Sequence, residues 1–285
     1  MSLAIPRGQK TAILGSNGAG KSTLFWHFNG ILKPQKGIIR YGGQPVSYDR
    51  KGLLELRKNV GIVLQDPDSQ LFSASVFQEI SFGPLNLGLP EQVVRERVHR
   101  AMTDTGIEGI QEKPTHMLSY GQKKRVTIAD ILAMEPEVLI CDEPTAWLDP
   151  KHSRQMVQLF NEISGKGTTV IMSTHDVDIA YAWADYIFVM SEGRVIGEGT
   201  PEKVFRDDLL IREADLGKPW LVEVYDMLLK KGCLNENIPL PTNKDELFQL
   251  MHTHTCGGEQ EAYDISTIGN SGRERDQLAV GREGV

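Results

Sequence analysis

A glycine-rich turn that ends in lysine and serine is the segment of this sequence with the clearest chemical meaning. Its residues, which fit the pattern GxxxxGK[ST] and are followed by Thr23, are Gly15, Ser16, Asn17, Gly18, Ala19, Gly20, Lys21 and Ser22. A triphosphate needs many hydrogen-bond donors at close range, and only a glycine-rich backbone lets several N–H groups converge on it. In this arrangement Lys21 reaches the β- and γ-phosphates and Ser22 ligates Mg²⁺. The alternative is a turn with an incidental lysine, but the strand before it and the helix after it favour a phosphate site.

Two adjacent carboxylates, Asp142 and Glu143, follow the apolar residues 138–141, whose pattern predicts a buried strand. Side chains at the carboxyl end of such a strand emerge beside a nucleotide crevice. We expect Asp142 to hold Mg²⁺ through water and Glu143 to polarise the attacking water as a general base. Taken alone, the pair has an alternative interpretation as two solvated acids that open a loop. The phosphate-binding turn upstream favours the functional interpretation.

A third segment, residues 118–122, has the spacing of a helix cap. Ser119 and Gln122 stand three residues apart, as in a capping box, so Ser119 should begin a helix. Gly121 permits close approach, and a helix N-terminus binds phosphate through its free N–H groups and its dipole. The alternative is an ordinary capped helix with a basic first turn. The segment reads Leu-Ser-Tyr-Gly-Gln and resembles the LSGGQ signature of ABC ATPases, and it precedes Asp142 in that family's order.

Other elements of that family have counterparts here, and their roles are what the resemblance implies. Gln65, at the end of a predicted strand, resembles the glutamine that senses Mg²⁺ and the partner protein. Asp149 belongs to a segment that resembles the D-loop of the nucleotide site, in which Trp147 is an unusual occupant. His175 resembles the switch histidine that contacts the γ-phosphate. Tyr120 stands where the signature itself usually has glycine.

In ABC ATPases the signature of one subunit completes the ATP site of the other. The resemblance therefore implies a head-to-tail pair of ATPase subunits with two interfacial sites for ATP and Mg²⁺. The second subunit is either an identical chain or a sister ATPase. Closing and opening of the pair would move a membrane partner, and a groove near Gln65 would transmit this motion. This general resemblance covers about residues 1–200.

Four shorter stretches resemble one particular type of ABC ATPase. Residues 65–72, 76–84, 200–205 and 216–220 look like the energy-coupling-factor type, especially the ATPase of cobalt and nickel importers. That type works with a transmembrane coupling protein and a substrate-capturing membrane subunit, and its substrates are Co²⁺, Ni²⁺ or vitamins. The ATPase need not touch the substrate, so its residues leave that choice open, and a vitamin-type importer is the alternative.

These sites require an α/β scaffold, and the first two hundred residues alternate strand-like and helix-like segments. The predicted strands cover residues 11–14, 37–41, 60–64, 138–141, 168–173, 186–190 and 195–198. A helix is predicted over residues 21–32, and residues 66–133 form a helical insertion without a buried strand. We predict the P-loop NTPase fold of ABC ATPases. It would comprise a parallel core sheet, a helical subdomain, a small C-terminal helical extension and N-terminal antiparallel strands that are partly missing.

The predicted domains are an ABC ATPase domain over residues 1–205, a helical extension over residues 206–251 and a disordered tail over residues 252–285. The extension should contain helices over residues 209–231 and 245–251, the second capped by Thr242.

The N-terminal segment and the C-terminal tail each have a feature with more than one interpretation. The family's adenine-stacking aromatic has no counterpart before residues 2–8, which suggests a truncated or misassigned start. In the tail, His252, His254 and Cys256 suggest either a metal site or a polar segment that happens to contain them. The composition of the tail favours the second interpretation.

Composition limits the class of protein. The chain has 31 basic and 38 acidic residues, and its net charge of −7 argues against a dedicated nucleic-acid binder. No apolar stretch approaches the roughly 18 residues that span a bilayer, and the N-terminus lacks a signal-peptide pattern. We therefore expect a peripheral protein on the cytoplasmic face of the cell membrane, held there by its partners.

Two other classes of protein remain to be weighed against this one. A soluble ABC ATPase that acts on DNA or ribosomes usually carries coiled-coil or zinc-module insertions, or two fused ATPase domains. A small P-loop kinase would not require residues 118–122 or His175. This chain has one phosphate-binding turn and no heptad run, which favours the transport ATPase.

Overall fold

A computed structural model of the chain describes residues 1–235 and 237–253. In chain order, the strands of this part are β1 (Lys10–Leu14), β2 (Arg40–Tyr41), β3 (Gln44–Pro45), β4 (Val60–Val63), β5 (Val138–Cys141), β6 (Thr169–Thr174), β7 (Tyr186–Ser191) and β8 (Arg194–Gly199). The helices are α1 (Lys21–Phe28), α2 (Arg50–Asn59), α3 (Val76–Asn86), α4 (Glu91–Thr105), α5 (Tyr120–Leu132), α6 (Pro150–Gly165), α7 (Val177–Trp183), α8 (Pro201–Phe205), α9 (Asp208–Glu213), α10 (Trp220–Lys230) and α11 (Lys244–Thr253). The disordered tail was predicted from residue 252, but His252 and Thr253 still belong to α11, because the helix continues past the end of its apolar pattern. The rest of the predicted tail, with His254 and Cys256, lies outside the described residues.

Within the described ranges, six strands form one sheet in the order β4-β5-β6-β1-β7-β8. The pairs from β4 to β7 are parallel, and β8 pairs antiparallel at one edge, which confirms the predicted parallel core. A two-residue turn of Glu192 and Gly193, both at positive φ, joins β7 to β8 as in tight hairpins. The order places the carboxyl ends of β1, β5 and β6 side by side, and each of these strands leads into one of the predicted chemical segments.

Alternating side chains of the strands build a core on each face of the sheet. On β1, Ala12 and Leu14 face the helices α6 and α7, while Ile13 faces α1. The same alternation continues on β5, β6 and β7, because successive side chains of a strand point to opposite faces. Each fully buried leucine, isoleucine or valine among them contributes about 1.5–3 kcal/mol through removal from water. The two packed faces hold the ends of the strands, and therefore the site, in fixed positions.

The helical insertion has a core of its own. Helices α3, α4 and α5 pack around side chains such as Val76, Val98 and Val126, each at most 1% exposed. The prediction of a helical segment without a buried strand in residues 66–133 agrees with the elements observed there. The carboxyl end of α5 leads directly toward β5, so the insertion is anchored to the sheet at the strand that carries the acidic pair.

Three predicted elements differ from the structure by three or more residues and one predicted cap is displaced, each for a local reason. The helix expected to reach residue 32 ends at Phe28, because Gly30 adopts a left-handed conformation with φ of 71°. The strand expected over residues 37–41 is only Arg40–Tyr41, which pairs across a Gly42-Gly43 turn. The helix expected over residues 209–231 is two helices, α9 and α10, because Asp215 adopts a left-handed conformation with φ of 52° just after α9, and Pro219 stands at the cap of α10.

The fourth difference concerns the start of α11. The side chain of Asn243, not that of Thr242, accepts a hydrogen bond from the backbone N–H of Glu246 at 2.9 Å. Glu246 reaches back to the backbone N–H of Thr242 at 2.7 Å. The predicted cap is therefore displaced by one residue. Among the described residues, no helix combines the length and the apolar character that crossing a membrane requires.

Candidate functional site: a nucleotide cleft at the ends of the parallel strands

A cleft of about 1000 Å³ lies where β1, β5 and β6 end. It brings together the following predicted site residues: Asn17, Gly18, Ala19, Gly20, Lys21, Ser22, Thr23, Gln65, Asp142, Glu143 and His175. Six other predicted residues do not line it: Gly15, Ser16, Ser119, Gly121, Gln122 and Asp149. The sheet order explains the first group, since the strands that precede these residues, β4, β5, β6 and β1, are consecutive in the sheet.

The glycine-rich turn owes its shape to positions where a side chain does not fit. A Cβ atom on Gly15 would lie 2.5 Å from the backbone oxygen of Met190 on β7. Gly20 precedes α1 with φ of 101°, a conformation that other residues rarely adopt. These two glycines let the turn double back against β7 and enter the helix directly. The free N–H groups at the start of α1 therefore face the cleft.

Lys21 connects this turn to the acidic pair. Its side chain is buried, and its Nζ donates to the backbone oxygens of Gly15 at 2.7 Å and Ser16 at 3.3 Å. The same Nζ lies 3.4 Å from Oε1 of Glu143. Gly15 and Ser16 thus take part in the site through their carbonyl groups, although they do not line the cleft. The ammonium stands at the junction of the phosphate-binding turn and the acidic pair.

A serine on the neighbouring strand organises the two carboxylates. Ser173 is fully buried near the end of β6, and its Oγ donates to Oδ1 of Asp142 at 2.6 Å. The same oxygen accepts the backbone N–H of Glu143 at 2.8 Å. Sequence reasoning missed this residue, although a small hydroxyl two positions before His175 at a strand end is a signal that could have been used.

Glu143 is held at its side chain as well as its backbone. Its Oε2 lies 2.9 Å from Nδ1 of His175, which is mostly exposed to the cleft. Its backbone has φ of 45°, which is uncommon for a residue with a side chain and costs on the order of 1–3 kcal/mol. Such a conformation persists only where the surroundings fix it. The carboxylate is therefore presented in one position, between Lys21 and His175.

Lys124, on the first turns of α5, is a second buried cation beside the acidic pair. Its Nζ donates to the backbone oxygens of Glu143 and Pro144, both at 3.0 Å. Burial lowers the pKa of this lysine to about 8 despite the nearby acidic groups. Sequence reasoning missed it, because a lysine among other basic residues on a helix is normally solvated and its partners lie 19 and 20 residues away.

The predicted cap of α5 is present, and it does not line this cleft. The Ser119 Oγ accepts the backbone N–H of Gln122 at 3.3 Å, and the Gln122 side chain accepts the backbone N–H of Ser119 at 3.1 Å. The Tyr120 hydroxyl donates to the backbone oxygen of Gln65 at 3.4 Å. The tyrosine therefore links the start of α5 to the segment that begins at Gln65.

Asp149 lies at the start of α6. One of its oxygens accepts the backbone N–H groups of Lys151 and His152 at 2.9 and 3.0 Å, and these bonds lower the pKa of the carboxyl group. Trp147, in the preceding loop, is 83% exposed with φ of 66°. In the single chain Asp149 thus serves as a helix cap, and Trp147 lines the cleft without covering it.

Comparison with known proteins agrees with this geometry. Residues 1–146 match the family model described as ABC transporter. An energy-coupling factor transporter ATP-binding protein of Methanocaldococcus jannaschii is 50% identical over 236 residues, which are 83% of this chain and 83% of the relative. Another energy-coupling factor transporter ATP-binding protein, from Clostridium perfringens, is 52% identical over 232 residues, or 81% of each chain.

Solved structures give the same result. The structure of cbiO1 from Clostridium perfringens, described as part of the ABC transporter complex cbiONQ, matches with 51% identity and a TM-score of 0.69 over 80% of this chain and 90% of the other. An ATP-binding cassette solved as a dimer in a post-hydrolysis state, with ADP and Pi bound, matches with 26% identity and a TM-score of 0.64 over 70% of this chain and 88% of the other. The chain therefore belongs to the ABC transporter family, as an ATP-hydrolysing subunit of the energy-coupling factor type.

Proposed function

We propose that this chain hydrolyses ATP at the interface of two ATPase subunits and thereby powers an energy-coupling-factor importer, with cobalt or nickel ions as its cargo. The observation that carries the catalytic part is the placement of Glu143. Its carboxylate lies 3.4 Å from the lysine of the phosphate-binding turn and 2.9 Å from His175, at the end of a buried strand. This arrangement suits a base that acts on water next to a terminal phosphate.

Each cleft residue has a proposed role toward ATP. The turn from Gly15 to Thr23 holds the phosphates through backbone N–H groups, and Lys21 exchanges its carbonyl partners for phosphate oxygens. Glu143 polarises the attacking water. Because Nδ1 of His175 already faces Glu143, its Nε2 is the atom left to contact the γ-phosphate. Charge on the transferred phosphate is then stabilised by fixed groups rather than by reorganised water.

The residues present fit a magnesium ion. Ser22, Asp142 and Gln65 line the same cleft, and their side chains offer hydroxyl, carboxylate and amide oxygens, which are the ligands that Mg²⁺ prefers. The bond from Ser173 fixes the orientation of the Asp142 carboxylate before any ion binds. When bound, the ion would offset the negative charge of the phosphates.

A second ATPase subunit supplies the signature segment that the cleft of one chain lacks. The helix start that carries Ser119, Gly121 and Gln122 has free N–H groups suited to phosphate, yet it does not line the cleft of its own chain. In a head-to-tail pair it would close the cleft of the partner, and Asp149 would lie near the same interface. A structural relative was solved as a dimer with ADP and Pi, which supports this assembly. Identical chains or a sister ATPase would both satisfy it.

The membrane partners follow from the energy-coupling type of the relatives. We propose a transmembrane coupling protein, docked near Gln65, and a substrate-capturing membrane subunit, with the ATPase held peripherally on the cytoplasmic face of the membrane. The cbiO1 structure is described as part of the complex cbiONQ, which supports such an assembly. The cobalt or nickel assignment rests on resemblance, and a vitamin is the alternative cargo. No nucleic-acid partner is proposed, in keeping with the acidic balance of the chain.

Affinity purification of the tagged chain from detergent-solubilised membranes of its host tests this proposal. We expect co-purification of a multi-span coupling protein and a small substrate-capturing protein. The capturing protein, purified with the complex, should retain Co²⁺ or Ni²⁺ after equilibrium dialysis. Recovery of vitamin with that subunit would correct the cargo. Recovery of only DNA- or ribosome-associated proteins would contradict the transport function.

A further inference from the structure

Lys124 takes no part in the roles proposed above, yet it is a buried cation beside the cleft whose donors have partners. The residue is 3% exposed, and its Nζ donates at 3.0 Å to the backbone oxygens of both Glu143 and Pro144. The ring of Tyr120 lies 5.4 Å from the same Nζ, on the first turn of the same helix. Two carbonyls and an aromatic face thus account for the three N–H groups of the ammonium.

The partners of Lys124 belong to the strained loop that presents the catalytic carboxylate. Glu143 has φ of 45°, and its anchors come from different parts of the fold. Ser173 on β6 accepts its N–H, His175 contacts its carboxylate, and Lys124 on α5 holds its carbonyl. Lys124 is the anchor that comes from the helical insertion. Its loss would free the backbone on the carboxyl side of Glu143 and leave the other anchors in place.

We propose that Lys124 is a positioning residue, which fixes the Glu143 carboxylate for water attack and couples the start of α5 to it. This proposal rests on the proposed function, because it assigns the catalytic step to Glu143. The start of α5 is coupled to the catalytic loop because Lys124 on this helix is hydrogen-bonded to the carbonyls of Glu143 and Pro144. Ser119 and Lys124 lie on adjacent turns of one helix start, so a shift of that start moves the ammonium and with it two carbonyls of the catalytic loop.

The choice of lysine at this position supports a role beyond packing. Burial of an ammonium is costly, and an apolar side chain of similar length would fill the same space without that cost. The carbonyls of Glu143 and Pro144 would then lose a donor, and the left-handed conformation would lose a support. Lysine is therefore suited to holding the loop rather than to filling the core.

Steady-state ATP hydrolysis and equilibrium binding of a fluorescent ATP analogue by the purified full-length chain test the proposal. Lys124→Met keeps the length of the side chain and removes its donors. We expect kcat to fall about 10–100-fold, since a misplacement of about 1 Å costs about 10²-fold, while the Kd of the analogue changes less than about threefold. Lys124→Arg retains the donors and should recover most of kcat. Lys123→Met is the matched control, because Lys123 donates to Asp68 and contacts neither Glu143 nor Pro144.

The outcomes separate this proposal from the proposed function. Wild-type turnover and its loss in Glu143→Gln report on the proposed function alone. If Glu143→Gln is inactive while Lys124→Met keeps kcat within about twofold of wild type, the positioning role is wrong and the proposed function stands. Equal losses of kcat and binding in both Lys124 variants, with a lowered Tm, would also overturn it, because they would mark a purely structural residue.

Discussion

Replacing Ser173 with alanine removes one oxygen that serves both carboxylates of the site. The backbone N–H of Glu143 would lose an acceptor at 2.8 Å, and Asp142 would lose a donor at 2.6 Å. A buried N–H without an acceptor costs about 1–3 kcal/mol, and a hydrogen bond to a charged group contributes about 1.5–3 kcal/mol. Because both groups border a cleft that water enters, we expect a combined loss of about 2–4 kcal/mol rather than the full sum.

Urea unfolding of the full-length chain measures this loss as a lower midpoint with an unchanged m-value. ATP turnover should fall as well, because Asp142 and Glu143 both lose an anchor. Thr174→Ser is the matched control: it keeps the hydroxyl that accepts the N–H of Asp176 and removes only a methyl group, worth about 1 kcal/mol. A Ser173→Ala chain whose free energy of unfolding stays within about 0.5 kcal/mol of wild type would refute the reasoning.

Three further predictions concern single positions. Gly15→Ala should abolish binding of a fluorescent ATP analogue and lower Tm, because its Cβ would lie 2.5 Å from the Met190 backbone oxygen; binding at wild-type affinity would contradict this. Burial and the neighbouring Glu79 raise the pKa of Asp130 from 3.8 to about 7, so stability should fall as pH rises from about 4 to 7, by at most about 4 kcal/mol. Asp130→Asn should flatten that dependence of Tm, and an unchanged slope would refute it. Trp147→Gly relieves a left-handed backbone with φ of 66° at an exposed side chain. We therefore expect the isolated subunit to be as stable as wild type or more stable by up to about 1 kcal/mol, with an equal or slightly higher Tm; a clear destabilisation would contradict this.

The sequence predicted most of the scaffold because its signals were local. Buried strands such as β5 and β6 are short apolar runs, and alternation along them decides which face each side chain occupies. The glycine-rich turn and the Ser119 cap are likewise defined by neighbouring residues, and the structure shows both. The error at residues 209–231 was also local, since the left-handed Asp215 ends α9 and Pro219 precedes α10, whereas the prediction followed the helical periodicity across both.

The parts that the sequence did not predict depend on contacts across the fold. Ser173 acts through residues 30 and 31 positions away, and only the order of the strands places β6 beside β5. Lys124 looks like a solvated lysine until the helical insertion is folded against the loop after β5. A resemblance to a family supplies the motif residues, but it does not reveal which other side chains hold them in place. The roles of Ser119, Gly121, Gln122 and Asp149 toward nucleotide stay predictions, and these residues lie outside the cleft of their own chain.

The most direct test of the account replaces Glu143 with glutamine and measures ATP turnover and assembly together. The amide keeps the size of the side chain but cannot act as a base, so we expect turnover to fall at least about 10²-fold. ATP binding should persist, and light scattering of the eluting protein in the presence of Mg²⁺ and ATP should show a stable dimer. Wild-type turnover in Glu143→Gln would contradict the assignment of the base, and a protein that stays monomeric with ATP bound would contradict the shared site.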